Sequence, residues 1–249
     1  MNFPTAVIGI QCRISSSRLP CKALLQLADT TILGMCIERS RNVGYPVFLL
    51  TSDHVEDNLI AESALKSGVD GVIRGSLDNV LSRYVSLAER VSCDYLVRVT
   101  ADNPLTEYGF IPHLIHHVST QKLPYSCIKP SLCPEGTNVE VFSRQAVFES
   151  AILDKSQSNL EHVTPYMKRD LLSSQFLVDI VSGFFPFDCE QLSFTVDKLC
   201  DYVRLAGLVN SVVQNMDIAW RSPEFVRACA EFASNHSCLY AKGRNHFIE

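Results

Sequence analysis

The sequence has no apolar run that approaches the roughly 18 residues a membrane-spanning helix needs. Residues 1–12 also lack the basic start and the cleavable apolar stretch of a secretory signal peptide. We therefore predict a soluble protein of the cytoplasm that has no membrane partner.

Cysteine pairs at metal-binding or redox spacing are also missing. The ten cysteines include no Cys-x-x-Cys pair, and several lie inside apolar strand-like or helical segments. Free thiols in a reducing cytoplasm are the interpretation that this pattern favours.

Two glycine-rich nucleotide motifs are absent as well. The chain has no Gly-x-Gly triplet and no Gly-Lys-Ser or Gly-Lys-Thr triplet, which argues against the usual dinucleotide site and against a P-loop NTPase. Its formal net charge of −5 and its pI near 5.8 argue against nonspecific nucleic-acid binding, which needs a broad basic face. Any nucleotide that binds here is therefore expected to be a small molecule.

What is present is an alternation of strands and helices. A chain of 249 residues that is 47% hydrophobic can bury one main core, so we expect a single domain over residues 1–249. Apolar runs predict strands at 6–10, 46–50, 69–73 and 95–99, and helical spacing predicts helices at 32–43, 55–66 and 78–91. Such alternation predicts an α/β fold with a mostly parallel central sheet and flanking helices.

The second half of the chain has a different character. Helical spacing recurs at 110–117, 145–153, 159–172, 201–213 and 223–233, and strands are predicted at 176–181 and 192–196. Residues 125–141 are rich in proline, cysteine and short extended pieces, which suits a small excursion subdomain at about 120–190 with dimerisation elements. Residues 235–249 show no clear period.

The first predicted strand runs directly into a basic, serine-rich turn at residues 11–22. In a parallel sheet such a turn presents backbone N–H groups, hydroxyls and positive charge to a polyphosphate at the carboxyl edge of the strands. Arg13, Arg18 and Lys22 are then candidate phosphate ligands. The alternative is a solvated basic loop, since exposed cations are common.

Two aspartates follow predicted strands far apart in the chain. Asp102 comes after the strand at 95–99, and Asp197 comes after the strand at 192–196. Two carboxylates at one sheet edge could hold Mg²⁺ together with substrate phosphates. Each aspartate could instead cap a following helix.

Several segments together resemble one enzyme family. The turn at 11–22, the Arg-Gly-Ser element at 74–76, the Ala-Asp-Asn-Pro-Leu segment at 101–105, the block at 134–142, the segment at 161–166 and Thr-Val-Asp at 195–197 are similar to motifs of the CMP-sugar synthetases. The likeness is greatest to the spore-coat polysaccharide cytidylyltransferase-like branch, which is related to the CMP-Kdo and acylneuraminate enzymes. It spans residues 5 to about 205, with the motifs in the family's order.

The resemblance implies a Rossmann-like nucleotide-diphospho-sugar transferase fold, a homodimer, and a reaction in which an acidic sugar's hydroxyl attacks the α-phosphorus of CTP. Its site residues carry over as follows: Arg18, Lys22 and Asp102 as catalytic; Gln11, Arg13, Ser15, Ser17, Arg74, Gly75, Ser76 and Arg98 as nucleotide-binding; Glu135, Asn138, Glu140 and His162 on the sugar side; Asp102 and Asp197 as Mg²⁺ ligands. The chain departs from the family at three positions: Ser15 and Cys21 replace glycines, and Asn138 replaces an aspartate.

Two rival functions stay open at this stage. A sugar-nucleotide-dependent glycosyltransferase with this kind of sheet would usually hold its metal with an Asp-x-Asp triplet, and the chain has none. The second rival is a degenerate module that binds nucleotide without turnover. It would be favoured if Ser15 and Cys21, in place of glycines, prevent the loop from binding the phosphates closely.

Overall fold

A seven-stranded sheet runs through the computed structural model, which describes residues 5–169, 175–236 and 240. The strands are β1 (Ala6–Gln11), β2 (Gln26–Leu27), β3 (Thr30–Thr31), β4 (Val47–Ser52), β5 (Gly71–Gly75), β6 (Tyr95–Thr100), β7 (Tyr125–Ile128), β8 (Glu140–Ser143) and β9 (Phe176–Leu177). The large sheet has the order β5-β4-β1-β6-β8-β7-β9, and β2 and β3 form a small separate hairpin.

Helices cover the sheet. They are α1 (Ile32–Arg41), α2 (Asn58–Lys66), α3 (Val80–Arg90), α4 (Phe110–Gln121), α5 (Arg144–Leu153), α6 (Gln157–His162), α7 (Pro165–Lys168), α8 (Val181–Phe184), α9 (Leu199–Asn215) and α10 (Phe225–Asn235). Among these described helices, none combines the length and the hydrophobicity that crossing a lipid bilayer requires.

The first four long strands are parallel. β1 pairs with β4 on one side and with β6 on the other, and β4 pairs with β5, all in parallel register. Their carboxyl ends therefore meet at one edge of the sheet, where ligands of open α/β folds bind. The predicted mostly parallel sheet is confirmed, and β8, antiparallel to β6 and β7, is the exception.

The apolar core lies in two layers, one on each face of the sheet. Alternate residues of β1 point to opposite faces: Ile8 and Ile10 belong to one buried cluster, and Val7 belongs to the other. Helices α1, α4, α9 and α10 cover the first face, whereas α3 and α5 cover the second. Because both faces of the parallel strands are covered, those strands are near-continuous apolar runs, which explains why the sequence pattern identified them.

The four strands predicted in the first hundred residues are confirmed with small shifts. The largest shift is at β5, which was predicted at 69–73 and spans Gly71–Gly75, and β4 continues beyond its predicted end through Thr51 and Ser52. These two residues pair with Arg74 and Gly75 of β5. The helix predicted at 55–66 begins as a 3₁₀ turn, Val55–Asp57, before α2.

Three predictions in the second half need correction. The single helix predicted at 159–172 is divided, because Val163 adopts φ 72° and Pro165 then begins α7; residues 170–172 lie outside the described part. The strand predicted at 176–181 shrinks to β9, and α8 begins at Val181. Residues 192–196 form no strand of the sheet and include an isolated bridge between Ser193 and Glu135.

The segment at 120–190, predicted as an excursion, contributes β7, β8 and β9 to the edge of the same central sheet. The closing helices predicted at 201–213 and 223–233 are confirmed as α9 and α10. Most of the stretch predicted to lack periodicity, residues 235–249, lies outside the described residues.

Candidate functional site

The loop that follows β1, residues 12–22, is anchored by a buried carboxylate. Asp57 accepts hydrogen bonds from the Ile14 backbone N–H at 2.7 Å and from the Ser52 backbone N–H at 3.1 Å. Burial raises the pKa of Asp57, but these bonds and one from the Ser52 hydroxyl outweigh it, so its pKa lies below the ordinary value. The ionised carboxylate thus joins the loop to the end of β4.

The loop then folds back on itself. The Ile14 carbonyl accepts hydrogen bonds from the N–H groups of Ser16 at 3.0 Å and Cys21 at 3.1 Å. Cys21 adopts left-handed backbone angles, with φ 58° and ψ 16°, whereas Ser15 is not among the residues with positive φ. Of the two positions where the family usually has glycine, Cys21 is therefore the one that needs glycine's conformational freedom.

Four backbone N–H groups of this loop have no acceptor in the protein. Those of Arg13, Ser15, Ser17 and Arg18 donate to no other residue within the described part of the chain. Unpaired N–H groups in a tight turn form a concave site for anions. The loop therefore offers neutral donors in addition to its cations.

Lys22 lies between the two predicted metal aspartates. Its Nζ donates to Asp102 Oδ2 at 2.9 Å, to Asp197 Oδ1 at 3.2 Å and to the Val196 carbonyl at 2.7 Å. The Lys22 side chain is only 14% exposed. All three ammonium donors are thus used, and the structure brings Lys22, Asp102 and Asp197 into one cluster.

A second loop cation reaches the same cluster from solvent. Arg18 Nη2 lies 2.9 Å from Asp197 Oδ1, with its side chain 60% exposed. Arg13 lies farther along the cleft, 4.0 Å from Glu161. Exposed pairs of this kind contribute at most about 1 kcal/mol, so both arginines can exchange partners easily.

Asp197 reaches this position through backbone contacts rather than through a strand. The Val196 N–H donates to the Asp102 carbonyl at 2.9 Å, and the Thr195 hydroxyl donates to Asn103 Oδ1 at 2.8 Å. Gly136 permits the close approach, because it has φ 88° and a Cβ there would lie 2.9 Å from the Thr195 nitrogen. The loop at 134–138 therefore holds residues 193–197 against the end of β6.

The aspartate pair fits a hard divalent cation. Asp102 and Asp197 converge on one cation, the Lys22 ammonium, so their oxygens already share a positive centre. The described residues contain no group of three or more potential ligands among His, Cys, Asp and Glu. Two carboxylates completed by water and substrate phosphates are the usual ligands of Mg²⁺, which suits this donor set.

These residues line a cleft of about 230 Å³ at the carboxyl edge of the sheet. Its lining includes these residues from the predicted site: Gln11, Arg13, Ser17, Arg18, Lys22, Asp102, His162 and Asp197. His162, predicted on the sugar side, therefore lies in the same cleft as the phosphate loop. The Cys12 thiol also lines the cleft, and burial raises its pKa, so it stays neutral.

The Arg-Gly-Ser element lies beside this cleft without lining it. Arg74 donates to the carbonyls of Ser52 at 3.0 Å and His54 at 2.8 Å and to Asn58 Oδ1 at 2.6 Å. The cleft instead contains Arg83, which was not predicted and which donates to the Ser76 carbonyl at 2.7 Å. Arg83 thus supports the turn that holds Gly75 and Ser76.

A second cavity of about 370 Å³ shares Thr100 with the cleft. It contains Glu135, Asn138 and Glu140 of the predicted sugar side, and Arg98, predicted to bind nucleotide. Strand register explains the Arg98 position, because Arg98 of β6 pairs directly with Glu140 of β8. Arg98 also donates to Gln11 Oε1 at 2.9 Å.

Glu140 is the centre of this second cavity. Arg98 and Lys168 both form ion pairs with it, and the hydroxyls of Tyr125 and Thr164 donate to it at 2.7 and 3.0 Å. Burial raises the pKa of Glu140, but the two cations reverse this effect and lower it to about 2. Glu140 is therefore ionised at every physiological pH.

Asn138 connects two strands and leaves little for a ligand. Its Oδ1 accepts from the backbone N–H of Ile128 at 3.1 Å and of Val139 at 2.9 Å, and its Nδ2 donates to the Ile128 carbonyl at 2.6 Å. An aspartate could not donate to that carbonyl. Asn138, which stands where the family usually has aspartate, therefore joins β7 to the start of β8 through a donor that aspartate lacks.

Sequence reasoning missed Asp57, Arg83 and Lys168. Asp57 and Lys168 belong to no motif used for the prediction, and they reach Ile14 and Glu140 through contacts far along the chain. Arg83 lies at the end of the segment that begins with the Arg-Gly-Ser element, but it was given no role, and its contacts with Ser76 and Leu77 are local. A charged residue inside an apolar helical stripe is a usable signal for Arg83, which sits among the buried residues of α3. No comparable signal marks Asp57 or Lys168.

Comparison with known proteins gives a consistent result. A family model described as cytidylyltransferase matches residues 6–223. The spore coat polysaccharide biosynthesis protein SpsF of Bacillus subtilis (strain 168) is 27% identical over 217 residues, covering 84% of this chain and 88% of that protein.

Solved structures share the fold. A cytidylyltransferase from Leptospira borgpetersenii superimposes with a TM-score of 0.81 at 23% identity, covering 98% of this chain and 99% of that chain. A CMP:2-keto-3-deoxy-manno-octonic acid synthetase in complex with CTP gives a TM-score of 0.60 at 16% identity, covering 83% and 99%. At these identities the likeness concerns the fold, and the predicted fold class is confirmed.

Proposed function

The chain belongs to the cytidylyltransferase family, and from this membership we propose that it transfers CMP from CTP to a hydroxyl of an acidic sugar. The products are a CMP-sugar, used for surface polysaccharide synthesis, and pyrophosphate. The family predicted from the motifs and the enzyme class are confirmed. The acidic acceptor, Mg²⁺ and the residue roles below are parts of the proposal.

The observation that carries the proposal is the cluster of Arg18, Lys22, Asp102 and Asp197 at the carboxyl edge of the sheet. The two cations contact the two carboxylates directly, and the loop with its unpaired N–H groups borders the same small cleft. Triphosphate binding needs the cations and the N–H groups, and a bridging divalent cation needs the carboxylates. The cluster therefore supports a nucleotide triphosphate held with its metal.

In the proposed reaction, the anomeric hydroxyl of the sugar attacks the α-phosphorus of CTP in line. The bond from the α-phosphorus to the oxygen shared with the β-phosphate breaks, and pyrophosphate leaves. Arg18, Lys22 and the loop N–H groups hold the phosphates and oppose the charge that develops on them, which positions both reactants. Asp102 and Asp197 would hold Mg²⁺, which supplies charge neutralisation and polarises phosphate oxygens.

The two cavities give each substrate its own place. The cleft beside the loop takes the nucleotide, and the second cavity, around Glu140, takes the sugar. Thr100 lines both, so the sugar hydroxyl and the α-phosphate would meet near the end of β6. No general base is assigned.

We extend the proposal to the assembly and the compartment. A homodimer is supported by two large exposed apolar side chains at the end of α5, those of Ile152 and Leu153. A reducing cytoplasm is supported by free buried thiols such as those of Cys12, Cys36 and Cys229. Light scattering and a thiol titration of freshly purified protein test these two points.

The test is pyrophosphate release from each of the four NTPs with a panel of 2-keto sugar acids. We expect release from CTP with Mg²⁺, and loss of turnover in Asp102→Asn and in Asp197→Asn with the fold intact by circular dichroism. Asp179→Asn is the matched control, because Asp179 is exposed and belongs to neither cavity lining. CTP binding without release would favour a non-catalytic module, and full activity of either variant would overturn the metal assignment.

A further inference from the structure

The wall of the sugar-side cavity carries a buried charge cluster of three residues. Arg98 Nη1 contacts Glu140 Oε2, and Lys168 Nζ contacts Glu140 Oε1. The side chains of Arg98 and Glu140 are 15% and 12% exposed, whereas that of Lys168 is 42% exposed. Two cations thus share one carboxylate, and the wall carries one excess positive charge.

The hydrogen-bonding groups of Arg98 are engaged by other protein residues. It lies inside the sheet, donates to Gln11 Oε1 at 2.9 Å, and pairs with Glu140 across neighbouring strands. Moving it toward a ligand would leave the buried Glu140 without its buried cationic partner, which is strongly unfavourable. Arg98 is therefore a positioning residue, and it fixes Glu140.

Lys168 is free to serve a ligand. It is the last residue of α7, and its Nζ lies 5.6 Å from the centre of the Tyr125 ring, at the edge of the cavity. A lysine ammonium has three donors, of which the contact with Glu140 uses one. Glu140 also keeps Arg98, Tyr125 and Thr164 as partners when Lys168 turns toward a ligand.

The charge of Lys168 selects the chemistry of the ligand. Glu135 also lines this cavity, but Glu135 and Lys168 are both exposed, so water and salt screen both charges. Lys168 differs in position, because its Nζ lies at the cavity wall beside Glu140 and Tyr125, where a remaining donor can bind a single anionic group. The group that a 2-keto sugar acid brings to this cavity is its carboxylate.

We propose that Lys168 binds the carboxylate of the acceptor sugar and sets the preference of this enzyme for acidic over uncharged sugars. This assignment rests on the proposed cytidylyltransferase reaction with an acidic acceptor. It adds a specificity residue that lies outside the motifs of the phosphate loop and the aspartates.

The test compares Lys168→Met and Lys168→Arg with the wild type, using 2-keto-3-deoxy-manno-octonic acid, N-acetylneuraminic acid and their carboxamides as acceptors. Lys66→Met is the matched control, because Lys66 is an exposed lysine in the last turn of α2, outside both cavities. Initial rates of pyrophosphate release give KM and kcat for each acceptor. Calorimetry gives the CTP affinity of each variant independently of the sugar.

We expect Lys168→Met to raise KM for the acids roughly 10- to 100-fold, the loss typical of one charge-assisted hydrogen bond. KM for the carboxamides, CTP affinity and Lys66→Met should change less than about 2-fold, and Lys168→Arg should keep most of the preference. Equal losses for acid and carboxamide would overturn the role of Lys168 while leaving the reaction intact. A wild type that binds CTP but releases no pyrophosphate with either acid would overturn the acidic acceptor, and this assignment with it.

Discussion

Replacing Glu140 by glutamine tests whether the buried charge cluster holds the sugar-side cavity together. Glutamine keeps the size of the side chain and an oxygen that can accept from Tyr125 and Thr164. It removes the negative charge that Arg98 and Lys168 share. The substitution therefore isolates the ionic part of the cluster.

The expected magnitude can be worked out in two ways. Breaking a buried ion pair from one side costs about 3–5 kcal/mol, and the pair with the half-exposed Lys168 adds less than about 1 kcal/mol. Independently, the Glu140 pKa of about 2, against an ordinary value of 4.5, corresponds to about 3 kcal/mol of stability at neutral pH. We expect Glu140→Gln to lose about 3 kcal/mol at pH 7, or roughly 6–12 °C in Tm.

The pH dependence gives the sign of the effect. A carboxylate whose folded pKa is lowered contributes stability above its unfolded pKa, and this contribution is lost as pH falls through the folded pKa. The wild type should therefore exceed Glu140→Gln by the full amount above about pH 5, and the difference should shrink as pH falls toward 2.

Urea unfolding at pH 7, 4 and 3, followed by circular dichroism and by fluorescence of the single tryptophan, Trp220, measures this difference. Glu135→Gln is the matched control, since Glu135 lines the same cavity but is exposed. The control should change stability by less than about 0.5 kcal/mol. A loss below 1 kcal/mol for Glu140→Gln, or a loss that is the same at pH 7 and pH 3, would refute the reasoning.

Three further predictions concern the loop and the strand connection. Cys21→Gly should stabilise the protein by about 1 kcal/mol and raise CTP affinity, because Cys21 has φ 58°, whereas Cys21→Ala should do neither; unfolding and calorimetry measure both. Asn138→Asp should lower the free energy of unfolding, measured in urea, by about 1–3 kcal/mol, because aspartate cannot donate to the Ile128 carbonyl. If Asn138→Ser destabilised the protein less than Asn138→Asp does, the loss of this donor would not be the cause. Asp57→Ala should weaken CTP binding at least 10-fold, because it removes the oxygens that accept from the Ile14 and Ser52 N–H groups, and unchanged binding would show that the anchor is dispensable.

The first half of the fold was predictable because local and global signals agree there. Strands such as β1 and β4 are buried on both faces, so their sequences are continuous apolar runs, and short connections separate them from amphipathic helices. Alternation then fixes the parallel pairing. The register and the return of β8 beside β6 depend on contacts that no local pattern records.

The second half was harder to predict because backbone conformation overrides periodicity. Val163 adopts φ 72°, which is rare for a β-branched residue and which nothing in the pattern at 159–172 indicates. Residues 192–196 have a strand-like composition, but they form no strand of the sheet. The Phe194 N–H donates to Glu135 in the loop before β8, and the Val196 N–H donates to Asp102 in the loop after β6. Asp197 was predicted at the sheet edge because a strand was expected before it, whereas the structure places it there without such a strand.

Within the site, the types of the functional residues were easier to predict than their hydrogen-bond and ion-pair partners. The residue types and their position after strands identified the phosphate loop and the two aspartates. Lys22 was predicted to bind phosphate, and in the structure its ammonium donates to Asp102, to Asp197 and to the Val196 carbonyl. The ion-pair partner of a cation is set by residues that are far apart in the sequence and close in the fold. Local sequence patterns therefore do not predict it.

The balance of charge in this cluster leads to the last prediction, which concerns free metal. Asp102 and Asp197 together carry two negative charges, and Lys22 and Arg18 carry two positive ones. A divalent cation that entered alone would displace the Lys22 ammonium, which is only 14% exposed, and leave it without a carboxylate. An unpaired buried charge costs several kcal/mol, so free metal should bind weakly.

In the proposed complex, CTP would change this balance, because its phosphates would give Lys22 and Arg18 new anionic partners and leave the two carboxylates available to a metal ion. Lys22→Met removes the cation that competes with a metal ion for the two aspartates. In the absence of nucleotide, this variant should therefore bind Mn²⁺ at least about 10-fold more tightly than the wild type does. Lys22→Arg keeps the charge and should remain weak. Electron paramagnetic resonance of Mn²⁺ with each protein, free of CTP, measures this directly, and equal affinity in the wild type and Lys22→Met would show that Lys22 does not compete for the aspartates.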